Sequence, residues 1–415
     1  IEIFNLKFLL IFITFGILFR NFGKKFIDML NFEFKNPTKI IFGKGEIAKI
    51  SREIPKTEKI LVLYGGGSIK TNGVYDQVKA ALEGYNWEEC GGSPANPEYE
   101  VLLEALKIIK EKNITYMLAV GGGSVIDGVK FLSAAANYEG EPWDILKNGI
   151  RTEEGKGLPF ASVLTLPATG SEMNSGAVVS RREIGQKLGM GGPGLFPQFS
   201  ILDPEVIRSI PKKQIANGIT DAYTHVLEQY MTVKTSATLQ DRFAESILQT
   251  LQEIAPKMME EEFHYDSAAN FMWSCTMALN GLIQKGVISD WAIHGIGHEL
   301  TAQFGIDHAR TLAIIAPSHY RYNFEAKKEK LAQYAERVWN VAEGTTEEKA
   351  LKGIEKMEAF FQSLGIKTKL SEYTENYQGT AEKIQEAFIA RNWLAIGEKG
   401  IVKPEDAKRI VEMAY

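Results

Sequence analysis

Thr115 to Ala136 reads TYMLAVGGGSVIDGVKFLSAAA. The apolar run Thr115–Val120 has strand character and ends in the turn Gly121-Gly122-Gly123-Ser124. A helix follows over Ser124–Ala136, with Ile126, Lys130 and Ala134 at helical spacing and only Gly128 as a breaker. Upstream the same pattern recurs. Lys59–Tyr64, KILVLY, ends in Gly65-Gly66-Gly67-Ser68, and Tyr99–Glu111 (YEVLLEALKIIKE) has the period of an amphipathic helix. Strand, glycine turn and helix, repeated, is the βαβ pattern of a parallel sheet. Phe160–Leu166 (FASVLTL) adds a third buried strand, closed by Pro167.

A glycine turn after a strand lets backbone N–H groups approach a phosphate, and the following helix N-terminus adds a favourable dipole. Neither turn matches GxGxxG, and one GGGS alone reads equally as a tight strand-to-helix turn. Two of them on neighbouring strands point to a nucleotide crevice at the strands' C-terminal ends. Thr165 and Thr169 place hydroxyls at the third strand end, as caps or as phosphate and ribose contacts. No Asp or Glu lies between Lys59 and Gly73 to take a ribose 2′-OH, as an NAD site would require. Ser68 and Lys70 can instead receive a 2′-phosphate. Lys70 reads equally as a solvated surface lysine.

After Asp203-Pro204 the texture changes. Gln214–Tyr230, Ala237–Ala255, Ser267–Gln284, Lys327–Ala342 and Thr345–Phe361 all carry helical period, and strand-like alternation nearly disappears. The expected division is an α/β domain over residues 29–205 and an all-helical domain over 206–415. The chemistry sits in the second. The chain has six histidines, and three of them, His225, His294 and His298, lie in i, i+4 pairs: Asp221 with His225, and His294 with His298. His308 follows in FGIDHARTLA. Positions i and i+4 share a helix face. Carboxylate and imidazole donors aimed at one point suit a divalent metal such as Zn2+ or Fe2+. His264, in EEEFHYD, and His319 read as ordinary surface or core histidines. Trp143, Asn280 and Trp291 read equally as pocket or core.

The 415 residues are 45% hydrophobic and 24% charged, ordinary for a globular protein of two domains or more. A net charge of −5 gives no footprint for nucleic acid. The two cysteines, Cys90 and Cys275, form no CxxC, which excludes a disulfide framework and favours a reducing, cytoplasmic setting. Phe8–Phe19 (FLLIFITFGILF) is too short to span a bilayer, where about 20 apolar residues are needed. No small-x-small cleavage site follows it. Residues 1–28 are expected to be a non-native upstream extension with Met29 as the start. A membrane anchor or signal is the competing reading.

Taken together, YGGGSIKTNGVYDQV, ANPEYE, AVGGGSVIDGVKF, LTLPATGSEMNSGAVVSR, NGITDAYTHVLEQY and DWAIHGIGHELTAQFGIDHARTLAIIAP resemble the iron-containing (group III) alcohol dehydrogenases. The likeness runs from about Asn31 to the C-terminus and is greatest to the NAD(P)H-dependent butanol dehydrogenases and broad aldehyde reductases. It implies a dinucleotide-binding α/β domain and a helical metal domain, a dehydroquinate synthase-like architecture with the active site in the cleft. The metal ligands it implies are Asp221, His225, His294 and His308, holding Fe2+ or Zn2+. His298 matches a catalytic histidine beside the metal, in contact with substrate or the proton path. Gly122, Gly123 and Ser124 match the pyrophosphate loop, and Asp127 the carboxylate near the nicotinamide. Asn96, Thr165, Thr169 and Lys187 match nucleotide-contacting positions; Arg181, Arg182 and Lys187 crowd one short stretch, so the match at Lys187 is the loosest. Gly66 stands where NAD-specific members carry aspartate, which implies NADPH, with NADH possible. The implied reaction is hydride transfer between NAD(P)H and a short- to medium-chain aldehyde in a homodimer. The competing readings are a polyol or glycerol-type dehydrogenase, a dehydroquinate synthase-like lyase, and a metallohydrolase. The neutral surroundings of the histidines disfavour a phosphorylated substrate, and Ala302 breaks the HExxH that His298-Glu299 would begin.

Overall fold

The computed structural model describes residues 28–94 and 96–415. The stretch read as an upstream extension, residues 1–28, lies outside them except for Asp28. The strands are β1 (Lys39–Phe42), β2 (Lys59–Tyr64), β3 (Asn86–Cys90), β4 (Tyr116–Gly122), β5 (Phe160–Leu166), β6 (Gly176–Arg181), β7 (Gln186–Gly191) and β8 (Phe199–Leu202). Six of them form a parallel sheet in the order β1-β8-β5-β4-β2-β3. Ile60–Leu63 and Met117–Val120 are buried throughout because the central strands are covered on both faces. The edge strands β1 and β3 keep exposed residues.

Helices α1 (Val74–Ala81), α2 (Tyr99–Lys112) and α3 (Gly123–Ala136) return the chain between strands. Helix α2 buries Tyr99, Leu102, Ala105, Leu106 and Ile109 along one stripe and stops at Asn113, which takes a left-handed conformation. The expected helices at 99–111 and 124–136 are therefore present to within a residue. The β6–β7 hairpin was not expected. Its strands pair antiparallel around Gly185, at φ 60°; β6 opens on Gly176 and β7 contains Gly189 and Gly191, which blur the alternation.

The helical half contains α4 (Lys212–Tyr230), α5 (Thr238–Met259), α6 (Tyr265–Ala278), α7 (Ala292–Phe304), α8 (His308–Tyr322), α9 (Phe324–Trp339), α10 (Thr346–Ser363), α11 (Thr380–Ala390) and α12 (Pro404–Met413). Helix α4 is buried at every position from Ile215 to Tyr230, so its polar side chains must find partners inside the protein. The expected helix over 267–284 ends at Ala278, before Gly281 and Gly286, both at positive φ. The one expected over 327–342 ends at Trp339, before Asn340 in a left-handed conformation. No helix among the described residues is long and apolar enough to cross a membrane.

Candidate active site

Three helices bring the expected donors together. Helix α4 carries Asp221 and His225 one turn apart, with Oδ2 of the first 3.9 Å from Nδ1 of the second. His308 opens α8, its Nε2 3.7 Å from Asp221 Oδ1. His294, in the first turn of α7, stacks on His225 with ring centroids 4.7 Å apart, and its ring lies 5.2 Å from that of His308. One donor atom each from Asp221, His294 and His308 lies within 4.8 Å of the other two. His225 falls outside that tight trio but remains stacked on it.

Asp221 Oδ1, His225 Nδ1, His294 Nε2 and His308 Nδ1 are all buried without a hydrogen-bond partner. Buried polar atoms are nearly always bonded, so an unpartnered atom on each of these four neighbouring side chains, three of them in one tight group, fits a place built for a cation. Burial, the largest cause, pushes His225 and His294 down to about 4 and His308 well below the ordinary histidine range. Neutral imidazoles offer lone pairs without losing a proton first, as metal binding requires. The donor set therefore fits a divalent metal.

Glu228 completes the wall behind the cluster. One of its oxygens meets His294 Nδ1, and the other accepts from the Ile293 N–H at 2.7 Å. That bond fixes the ring so that Nε2 turns to the cluster. Sequence reading missed this residue. The signal was present: Asp221, His225 and Glu228, at i, i+4 and i+7, share one face of α4. His298 lies one turn beyond His294, its ring 4.9 Å from His308. Burial first, then the Lys187 charge, hold it well below its usual pKa. His264 pairs at the surface with Glu260 at 2.8 Å, and His319 is buried beside Asp290.

The two glycine turns lie side by side. Strand β2 pairs with β4 through Tyr64 opposite Val120, so residues 65–67 and 121–123 emerge together at the C-terminal edge. A Cβ on Gly123 would stand 2.3 Å from Thr169 Oγ1, and one on Gly122 2.9 Å from Leu166 Cβ. Only glycine permits that approach of backbone to the β5 end. Gly121 pairs with Leu164 and Gly122 with Leu166, which leaves Thr165 as the extra residue of a bulge beside the turn. Ser124 Oγ accepts from the Asn96 N–H at 3.2 Å, and Asn96 Oδ1 accepts from Lys187 Nζ at 2.9 Å. Asp127 accepts from Ser171 Oγ at 2.6 Å and the Val178 N–H at 2.9 Å, pinning the β5–β6 loop and hairpin to α3. Lys187 is in electrostatic reach of both halves: burial lowers its own pKa against the pull of Asp127 and Asp221, and its charge adds to the burial that holds His294, His298 and His308 low.

Around the first turn, a Cβ at Gly66 would meet nothing within 4 Å. Lys70 is neither simply solvated nor free: it pairs with Glu89 at 3.2 Å and lies over the rings of Tyr64 and Tyr75. Glu89, on β3, is an acidic neighbour that the run from Lys59 to Gly73 could not reveal. Trp143 packs in the core against Tyr99, whereas Trp291 lies edge-on to His294. Asn280 is buried and accepts from the Leu282 N–H.

Residues 37–204 match the iron-containing alcohol dehydrogenase family, and residues 215–404 match the C-terminal part of the same family. The chain belongs to the iron-containing alcohol dehydrogenase family. It is 46% identical to the NADPH-dependent aldehyde reductase YqhD of Escherichia coli, over 93% of this chain and all of that one. It is 37% identical to the NADH-dependent butanol dehydrogenase A of Clostridium acetobutylicum, again over 93% of this chain and all of the other. Among solved structures, Escherichia coli YqhD superposes with a TM-score of 0.91 at 45% identity, covering 94% of this chain and all of that one. NADH-dependent butanol dehydrogenase A from Thermotoga maritima gives 0.88 at 35% identity, covering 94% and 99%. This alcohol dehydrogenase thus pairs a parallel-sheet domain with a helical domain, as its sequence resemblance implied.

Proposed function

We propose that the chain is a metal-dependent aldehyde reductase that passes hydride between NADPH and short- to medium-chain aldehydes. The observation that carries this reading is the group of Asp221, His294 and His308 donors with His225 stacked against it, each side chain bearing a buried atom without a partner. These four hold the metal, Fe2+ or Zn2+. When bound, it supplies Lewis acidity toward a carbonyl oxygen, and the nicotinamide supplies the hydride. The chain's own residues orient and protect the reactants. Gly122, Gly123 and Ser124 present backbone N–H groups to the pyrophosphate at the start of α3. Gly66, Gly67, Ser68 and Lys70 surround the adenosine ribose, and Asn96, Thr165 and Thr169 line the cofactor's path. Asp127 acts by position, tying the hairpin that carries Lys187 to the glycine turn. His298, held neutral by its burial, offers a ring N–H to the substrate oxygen and relays the proton. The relatives' names divide between NADPH and NADH; the open space at Gly66 supports NADPH, and the pairing of Lys70 with Glu89 means a 2′-phosphate must compete with that carboxylate. The two free cysteines are in keeping with a cytoplasmic enzyme, and a homodimer completes the reading.

The test uses protein stripped of metal and reloaded with Fe2+ or Zn2+, with butyraldehyde and either NADPH or NADH. Nicotinamide oxidation that depends on the metal and runs faster with NADPH is expected. Bound metal without oxidation of either cofactor by any short aldehyde would transfer the proposal to a lyase or a phosphorylated substrate.

A further inference from the structure

Behind the donor cluster lies a second group of charges that takes no part in the chemistry above. Lys327, on α9, is fully buried. Its ammonium donates to Asp290 Oδ2 at 2.6 Å, to the Met231 carbonyl at 2.7 Å and to Glu398 Oε1 at 3.0 Å. Three donors meet three acceptors, which is the condition for keeping an ammonium out of water. Buried ion groups of this kind seldom add stability over an apolar core of the same volume, so their use lies in what they specify.

What these partners specify is the placement of α4, α7 and α8. Met231 directly follows α4, the helix of Asp221, His225 and Glu228. Glu398 also holds the Val233 N–H, at 2.5 Å, so it grips the same end of α4. Asp290 precedes α7. Its Oδ1 accepts from the Ala292 N–H at 3.1 Å, in the first turn of that helix, and its own N–H donates to the Glu228 carbonyl at 2.8 Å. Between them Trp291 is forced to φ 68°, a conformation a bulky side chain adopts only when its surroundings over-determine it. Its ring then lies edge-on to His294, 5.4 Å between centroids. From α8, the helix opened by His308, His319 Nε2 reaches within 3.4 Å of Asp290 Oδ2.

We propose that Lys327, acting through Asp290 and Glu398, is a positioning residue that locks α4, α7 and α8 in the arrangement that brings the four metal donors to one point. The inference rests on the metal site proposed above. It assigns no new ligand, and it places the control of metal affinity and geometry in a group of side chains that none of the ligands touches directly through its side chain.

The test compares the full-length protein with Asp290→Asn, Lys327→Met and Lys330→Met. Lys330 lies on the same helix as a buried lysine paired with Asp241 at 2.6 Å, which makes it a matched control for the general loss of a buried pair. Metal affinity is read by chelator competition, and site geometry by the visible absorption of the Co2+-substituted protein, both without turnover. Asp290→Asn and Lys327→Met should each weaken metal binding by about tenfold, the low end of the range for losing groups bonded to the ligands themselves. They should also shift the Co2+ bands, whereas Lys330→Met should leave both unchanged. Asp290→Asn keeps shape and the acceptor for the Ala292 N–H, so it decides the matter if Lys327→Met does not fold. Unchanged affinity and spectrum in Asp290→Asn, or equal losses in Lys330→Met, would overturn the positioning role alone. A wild-type protein that binds no metal would overturn the metal reading and this inference with it.

Discussion

The carboxylate of Glu228 meets Nδ1 of His294 at full burial, while His294 Nε2 is left without a partner on the opposite side of the ring. A carboxylate behind an imidazole fixes which nitrogen faces the metal and raises its basicity. Glu228→Gln retains shape but leaves a single acceptor oxygen for both the Ile293 N–H and His294. Metal affinity measured by chelator competition should fall about 10–100-fold. Affinity within a factor of two of wild type would remove Glu228 from the metal's support.

The glycine turns make opposite predictions at two positions. At Gly123 a Cβ collides with Thr169 Oγ1. Gly123→Ala should therefore raise the KM for either nicotinamide cofactor by about tenfold or more, the equivalent of 1.4 kcal/mol, while metal content stays at wild-type level. At Gly66 space is open, so Gly66→Asp should fold normally and place a carboxylate where the 2′-phosphate would lie. The NADPH to NADH ratio of kcat/KM should fall at least about tenfold. A ratio that does not move would place the adenosine ribose elsewhere.

These two predictions also mark where sequence reading succeeded and where it ended. The GGGS turns were legible because they are local: an apolar run, a break and a helical period identify the strand end without tertiary information. The grouping of Asp221, His225 and His294 was legible from the i, i+4 spacing, which paired His294 with His298, whereas His308 entered the expected ligand set through the family resemblance. Glu228 was legible in principle at i+7 on α4. The β6–β7 hairpin was not, because its strands pair with each other across glycines that blur the alternation, and its anchors to α3 are distant in sequence: Lys130 donates to the Gly176 carbonyl and Asp127 accepts from Val178. The Lys327 group was hidden for the same reason, since Asp290 and Glu398 lie 37 and 71 residues from their partner.

Metal removal should be visible as stability. A ligand that binds only the folded state stabilises it by about 2.7 kcal/mol at a concentration one hundred times its Kd. Differential scanning calorimetry of the chelator-treated protein should therefore show a Tm lower by several degrees, restored by Fe2+ or Zn2+. Asp221→Asn removes the carboxylate shared by the cluster and should lose most of that metal-dependent shift while the apo Tm changes little. A full metal-dependent shift in Asp221→Asn would exclude Asp221 as a ligand.

Lys130 gives a pH dependence whose sign can be worked out. It is buried on α3, donating to Ser171 Oγ, Asn174 Oδ1 and the Gly176 carbonyl. Burial, the largest cause, pushes its pKa from the ordinary 10.5 down to about 8, against the opposing pull of Asp127 and Glu172. Below pH 8 both the folded and the unfolded chain carry the proton, so the lysine adds no slope. Between about 8 and 10.5 the unfolded chain binds more protons than the folded one, and stability rises with pH. Chemical denaturation of wild type and Lys130→Met across this window isolates the contribution. The difference in unfolding free energy should grow in favour of wild type, by at most about 1.4 kcal/mol per pH unit. A flat difference from pH 7 to 10 would show that the Asp127 and Glu172 carboxylates keep the buried ammonium charged throughout.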